Sequence, residues 1–330
     1  MGKSKILIIS EENDSTTEIV IRWIRYLGAD FLRINDTSIL DLDFMSIDEE
    51  SDDVQFQFNN KKYCLSDFTS YWYRRGRLNF NFPKIEMSGE ILQKSVSRML
   101  EMENNYILNH IYNYFEKRVG IKTIGSIYDN NTNKMSNLLS ARSVGLKIPA
   151  SAVVTSKKKA SEFIKNKKKI IVKPIYQAGF LYEDSNKIST GFTSLISEQE
   201  IFELPKNIYP SLMQEYIEKK YELRIFYLHG LCYSSAIFSQ LDPQTVVDFR
   251  NYNWQKPNRT PPYNLPKNIS TKIKKLMDKI GMNCGSIDMI VTPNNDFVFL
   301  EVNPVGQFWQ VSYPCNYYLE KKIAEFLCSK

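Results

Sequence analysis

A chain of 330 residues, 43% apolar and 13% aromatic, can bury a large core in two or three lobes, and this excludes a disordered protein. Its net charge of +6 lies in lysine patches such as Lys157-Lys158-Lys159 and Lys167-Lys168-Lys169, which read as solvated helix faces and not as a nucleic-acid footprint; an acidic ligand, nucleotide or carboxylate-rich peptide, suits the balance. Five scattered cysteines without a C-x-x-C pair argue against a disulfide framework or zinc knuckle and point to the cytoplasm, and no apolar run is long enough to span a membrane.

Lys5 to Ser10 reads as a short buried strand. Ser15-Thr16-Thr17-Glu18 has the form of a capping box opening a helix that stops at Gly28, and Phe31 to Ile34 is a second strand, so the chain opens as an α/β lobe. The acidic run from Asp41 to Asp53 reads as a surface loop, and Asn59-Asn60 joins Val54–Phe58 to Tyr63–Leu65 in a hairpin. Thr69 to Tyr73 is a strand ending in Arg74-Arg75-Gly76-Arg77, either a grip for phosphate or carboxylate or a basic surface loop. Helical periodicity runs from Ile85 to Lys117, and Lys122 to Ile124 returns to a strand.

The character changes near residue 126. Asn130 to Asn133 cap a helix from Lys134 to Val144, which stops at Gly145 before Ile148-Pro149. Another helix covers Lys157 to Lys165, a buried strand covers Lys169 to Pro174, and Tyr176 to Gly191 reads as a loop or hairpin flap. Strands are expected at Leu212–Ile217, Leu223–Tyr227, Cys232–Phe238 and Thr245–Phe249. Helices are expected at Ser270–Ile280 and Asn316–Cys328.

Between those last helices lie two apolar runs, Ile287 to Val291 and Phe297 to Val302, around Pro293-Asn294-Asn295-Asp296. With Asn294-Asn295 as a two-residue loop, Asp288 falls opposite Glu301, and Asn303 shares their face. Facing carboxylates repel unless neutralised, and a hard divalent cation suits carboxylate and amide oxygens. A merely hydrated polar face is the alternative. The opposite face would carry Ile287, Met289, Val291, Val298, Leu300 and Val302.

Two further groups suggest chemistry. Lys173 ends an Ile-Ile-Val strand, where a lysine needs an anionic partner such as phosphate, and Lys134 in the first turn of its helix can add a second ammonium; either one alone can also be a snorkelling surface residue. Gln214-Glu215-Tyr216-Ile217 runs into a polar connection whose backbone can meet an adenine edge, with Glu222 suited to ribose hydroxyls and Arg224 to a transferred phosphoryl group.

In this order, Lys134 before a helix ending Gly-x-x-Ile-Pro, V-K-P at Lys173, Q-E-Y-I at Gln214, E-L-R at Glu222 to Arg224, Asp288 and E-V-N-P at Glu301 to Pro304 resemble the ATP-grasp superfamily over residues 126–330. Residues 10–16, Phe31 to Asn35 and Trp72 to Gly76 resemble the ATP-grasp maturases of the microviridin and graspetide type, as do Asp248 to Arg250 and Gly306 to Phe308.

The resemblance implies an N-terminal α/β pre-ATP-grasp domain (1–125), a central lobe with a flap (126–211) and a C-terminal lobe (212–330), with the nucleotide between two α+β lobes. It implies ATP and Mg²⁺ as cofactors. Lys134 and Lys173 would meet phosphates, Gln214, Glu215, Tyr216 and Ile217 adenine, and Glu222 ribose; Asp288, Glu301 and Asn303 would hold metal. Arg224, Arg250 and Asp248 would serve catalysis, Arg250 receiving the peptide carboxylate. The implied activity is macrocyclisation of a ribosomally made precursor peptide, with a leader, by ω-ester or ω-amide links, in a possible homodimer. A carboxylate–amine ligase acting on a small peptide or protein tail, and a non-catalytic binding module, are the alternatives.

Overall fold

The computed structural model of the chain describes residues 5–50, 52–165, 167, 169–176, 180–184, 187–190, 193–240, 242–245, 247, 249, 251 and 253–329. It divides into two compact units, Met1–Asn130 with Tyr318–Lys330, and Asn131–Tyr317.

The first unit contains β1 (Lys5–Ser10), α1 (Ser15–Tyr26), β2 (Asp30–Asn35), β3 (Asp41–Ile47), β4 (Asp52–Phe58), β5 (Lys61–Cys64), β6 (Ser70–Tyr73), α2 (Glu90–Glu116) and β7 (Lys122–Ile124). A parallel sheet in the order β2-β1-β6-β7 forms because β1 and β6 are buried apolar runs with crossover connections between parallel neighbours. The helix α1 is capped by Asp14, whose carboxylate accepts from the Thr16 and Thr17 amides, and not by a Ser15 box; the carboxylate reaches both amides from one position further back. The acidic stretch is not a loop. It supplies β3 and the start of β4 in an antiparallel sheet closed by β5, where Asp43 pairs with Lys62 and Asp53 accepts from Ser66, so the charges lie along a strand that exposes one side. Asn59 and Asn60 both have positive φ, the conformation a two-residue hairpin turn requires.

The second unit contains α3 (Lys134–Ser143), β8 (Ser151–Ser156), α4 (Lys157–Ile164), β9 (Ile170–Lys173), β10 (Phe180–Asp184), β11 (Lys187–Thr190), β12 (Ser194–Ile196), α5 (Glu198–Glu203), β13 (Asn207–Glu215), β14 (Tyr221–Leu228), β15 (Leu231–Ile237), β16 (Pro262–Tyr263), α6 (Lys267–Ile280), β17 (Cys284–Val291), β18 (Phe297–Asn303) and α7 (Trp309–Cys315). Its antiparallel sheet β12-β9-β13-β8 packs on α4 and α5 through Ile164, Ile170, Ile201 and Met213. A second sheet, β16-β15-β14-β17-β18, buries Leu223, Ile225, Ile287, Met289 and Phe299 against α3 and α6 through Leu138, Ile273 and Leu276.

Thr245 to Phe249 forms no strand among its described residues. Thr245 turns back instead, its amide donating to the Asp242 carbonyl and its hydroxyl to the Ser239 carbonyl. The expected closing helix is α8 (Leu319–Cys328), which starts after Tyr318 and packs on α1 in the first unit; the short α7 precedes it and is capped by Asn316, and both Asn316 and Tyr318 are left-handed. All five cysteines are free, and no helix among the described residues is long and apolar enough to cross a membrane.

Candidate active site

The β17–β18 hairpin positions the acidic pair by two compensating departures from the simplest pattern. Its loop has three residues, Pro293-Asn294-Asn295, closed by the Thr292 amide donating to the Asp296 carbonyl at 2.9 Å, with Asn295 left-handed at φ 62°. That alone would set Asp288 opposite Leu300. A bulge between Asp288 and Met289 inserts Leu300, and the register returns to Asp288 opposite Glu301 and Ser286 opposite Asn303. The apolar face of β18 changes accordingly. Phe297, Phe299 and Val302 turn to the core in place of the expected Val298 and Leu300, because the inserted residue reverses the alternation. Leu300 lines the cleft instead.

That cleft encloses about 820 Å³ with its mouth and lies within the second unit. It is lined by Lys134 from the first turn of α3, Lys173 from the end of β9, Gln214 and Glu215 from β13, Tyr216, Ile217 and Lys219 from the connection to β14, Glu222 from β14, and Asp288 and Glu301 from the hairpin. Apolar walls come from Ile171, Ile290 and Leu300. A concave site with a few convergent charged groups on apolar walls has the form of a cofactor site.

Each polar group is held by identifiable partners. Arg224 lies opposite Asp288 in the β14–β17 register, and its Nη1 donates to both carboxylate oxygens at 2.7 and 2.6 Å. Asn303 Nδ2 is 3.3 Å from Asp288 Oδ2. The Lys134 ammonium lies 3.7 Å from Glu301 and donates to the Pro174 carbonyl at 3.3 Å, which ties α3 to the end of β9. Gln214 is buried and donates to Ser151. The amides of Glu215 and Tyr216 are taken by the carbonyls of Ala150 and Lys169. Burial pushes the Glu222 carboxyl up, while Lys219 and the Ser239 hydroxyl, at 2.5 and 2.9 Å from its Oε1, pull it back toward the charged form.

Lys219 was not singled out from sequence. Glu218-Lys219-Lys220 reads as a solvated connection, yet the Lys219 side chain is 3% exposed and its ammonium faces the cleft lining. Asp248 and Arg250 lie outside the described residues, as does part of the flap.

The donor set fits a hard cation with a polyphosphate. Two carboxylates and an amide offer oxygen donors with no soft ligand, and no group of three His, Cys, Asp or Glu gathers among the described residues to hold a metal without help. Mg²⁺ is characteristically bound by one or two carboxylates together with substrate phosphates. The buried Arg224 guanidinium also retains an unpartnered Nε beneath the site.

No family model and no curated protein matches the sequence. Solved structures do match. A RiPP-associated ATP-grasp ligase from Chryseobacterium gregarium, in complex with ADP and a leader and core peptide, superposes with a TM-score of 0.77 at 24% identity over 98% of this chain and 96% of that one. The macrocyclase MdnC of Microcystis aeruginosa, bound with the precursor peptide MdnA, gives 0.73 at 25% identity over 99% and 100%. The ATP-grasp ligase PsnB, complexed with a minimal precursor, Mg and ADP, gives 0.67 at 14% over 98% and 96%. A chain with this cleft, matched along its whole length by these structures, has the fold of the RiPP-associated ATP-grasp peptide ligases.

Proposed function

We propose that this chain is an ATP-dependent, ADP-forming ligase that macrocyclises a ribosomally made precursor peptide, joining core Asp or Glu side chains to Ser or Thr as ω-esters or to Lys as ω-amides. The convergence of Lys134, Lys173, Glu222, Asp288 and Glu301 on one cleft carries this reading. A carboxylate is a poor electrophile, and bound MgATP supplies the phosphoryl group that makes it an acyl phosphate.

The chain's own residues bind and position. Lys134 and Lys173 hold phosphate oxygens, and Glu222 accepts from ribose. Adenine-edge pairing falls at Ile217, since the amides of Glu215 and Tyr216 are already engaged. Asp288, Glu301 and Asn303 hold Mg²⁺, and Arg224 fixes the Asp288 carboxylate while adding positive charge behind the transferred phosphoryl group. Arg250, oriented by Asp248, receives the peptide carboxylate bidentately. The peptide leader docks near the flap, and the active protein is cytoplasmic and homodimeric.

The test is ADP release stimulated by a candidate precursor, with one water lost per link by mass spectrometry. Asp288→Asn should bind peptide and release no ADP; normal ADP release would refute the metal assignment. Linkage of free amino acids to a small peptide without any leader would place the chain with the carboxylate–amine ligases, and peptide binding without nucleotide turnover would make it a binding module.

A further inference from the structure

Lys219 does more in the fold than balance Glu222. Its ammonium donates to Glu222 Oε1 at 2.5 Å and, on the other side, to the Val247 carbonyl at 3.4 Å. Ser239, just past the end of β15, donates its hydroxyl to the same Glu222 oxygen at 2.9 Å. Both side-chain bonds to Glu222 therefore fall on Oε1, which leaves Oε2 of this cleft-lining residue to a ligand.

Val247 and Ser239 belong to one stretch whose described residues bind one another. The Asp242 carboxylate accepts from the Gln244 amide at 2.9 Å and from Asn253 Nδ2 at 2.7 Å. The Thr245 amide donates to the Asp242 carbonyl, and the buried Thr245 hydroxyl to the Ser239 carbonyl at 2.9 Å. Val247 and Phe249 line the cleft, so these residues form one of its side walls. The wall meets Glu222 directly through Ser239, and through Lys219 at Val247.

A lysine suits this joint. An ammonium has three protons and no acceptor, so it can bridge a carboxylate and a carbonyl at once. Charge-assisted hydrogen bonds shielded from water polarise one another, and a further donor on the shared carboxylate strengthens the set. Ribose hydroxyls donating to Glu222 would supply that donor and, through Lys219 and Ser239, steady the wall. By linkage, a wall held in place strengthens ribose binding by the same factor. We propose that Lys219 is a positioning residue that couples ribose recognition at Glu222 to the order of the wall residues Ser239, Thr245, Val247 and Phe249. The inference rests on the nucleotide reading of the cleft and adds that recognition of the sugar sets the cleft's own wall.

Amide hydrogen exchange on the full chain tests it, with magnesium ADP and magnesium 2′,3′-dideoxy-ADP as probes. In wild type ADP should slow exchange on the order of tenfold, both in residues 214–217 and in peptides carrying Gln244, Thr245 and Val247. Saturating dideoxy-ADP, which lacks both hydroxyls, should protect residues 214–217 yet leave the wall within about twofold of its unliganded rate. In Lys219→Met, saturating ADP should act as dideoxy-ADP does in wild type, and Lys219→Arg should restore the wall's response. Should Lys219→Met fail to fold, Ser239→Ala, which removes the other tie, should still cut the wall's response to ADP to a few-fold. Equal wall protection by the two nucleotides, or a wall that answers ADP as in wild type after Lys219→Met or Ser239→Ala, would overturn the proposal alone. Protection at neither place would overturn the nucleotide reading, and this inference with it.

Discussion

Two buried ion pairs, one in each unit, look alike in sequence and differ in chemistry. In the first unit Asp14 receives the Arg74 guanidinium at 2.9 Å, the amides of Thr16 and Thr17, the Thr16 hydroxyl, and Arg75 at 3.7 Å. Burial opposes its ionisation, but the arginines and hydrogen bonds outweigh that and hold its carboxyl below the usual range. In the second unit Arg224 grips Asp288 as tightly, but the guanidinium keeps an orphaned Nε, Asp288 lines an open cleft, and neighbouring Glu222 is shifted upward by burial. A carboxylate saturated by its own chain is a structural joint. One that borders a cleft with donors and acceptors to spare is arranged for a ligand.

The widest separation between the two should come from paired variants. Asp288→Asn should lower peptide-dependent ADP formation on the order of 10³-fold or more, measured with a coupled assay, while Asp14→Asn should leave the surviving enzyme's turnover within a few-fold of wild type. A turnover loss at Asp14 as large as that at Asp288 would erase the distinction. Stability should show the reverse. Asp14→Ala removes a helix cap and strands a guanidinium that is 3% exposed, and should cost about 3–5 kcal/mol in urea unfolding.

A smaller effect tests the cleft's own pairing. Lys219→Met removes the ammonium that holds Glu222 in its charged form, and should raise the KM for ATP on the order of tenfold with little change in kcat. Lys219→Arg should recover most of the loss; equal falls in both parameters would indicate general damage instead.

The smallest effect concerns Asp129 in the first unit, whose carboxyl is pushed up to about 7 by burial and by neighbouring Glu116. The folded state binds this proton more tightly than the unfolded chain, where the value is 3.8. The stabilisation is therefore complete below about pH 4 and lost as pH rises through 7. Asp129→Asn should flatten the melting temperature across that window; an unchanged slope would mean that the carboxyl titrates normally. It would also sharpen the comparison, because Asp129 is under-compensated without lining the cleft.

Much of the cleft was legible because its residues follow local rules. Lys173 ends an apolar strand, Lys134 follows the Asn133 cap, and both line the cleft. The Asp288–Glu301 pairing was legible for an incomplete reason. A two-residue loop predicts it, and the chain reaches it through a three-residue loop and a bulge, since the left-handed turn at Asn295 and the extra residue at Leu300 offset one another. Only pairing partners reveal a bulge, so the phase of the β18 core face was misread. Burial was equally invisible at Lys219, where lysine-rich sequence means solvent unless the fold closes over it. The acidic stretch misled in the other direction, because charge density suppresses the strand signal that Leu42, Val54 and Phe56 carry.

By itself the sequence determined which segments become strands and helices around the cleft, since periodicity, caps and turn residues act within a few positions. It also determined the order of the charged groups along the chain. Tertiary structure alone decided which of those charges meet. Arg224 reaches Asp288 across a sequence separation of 64, Lys219 is buried against Glu222 and the Val247 carbonyl, and α8 returns from the end of the chain to pack on α1. The reason is that an ion pair's strength depends on distance and dielectric, and both are set by packing between segments remote in the chain.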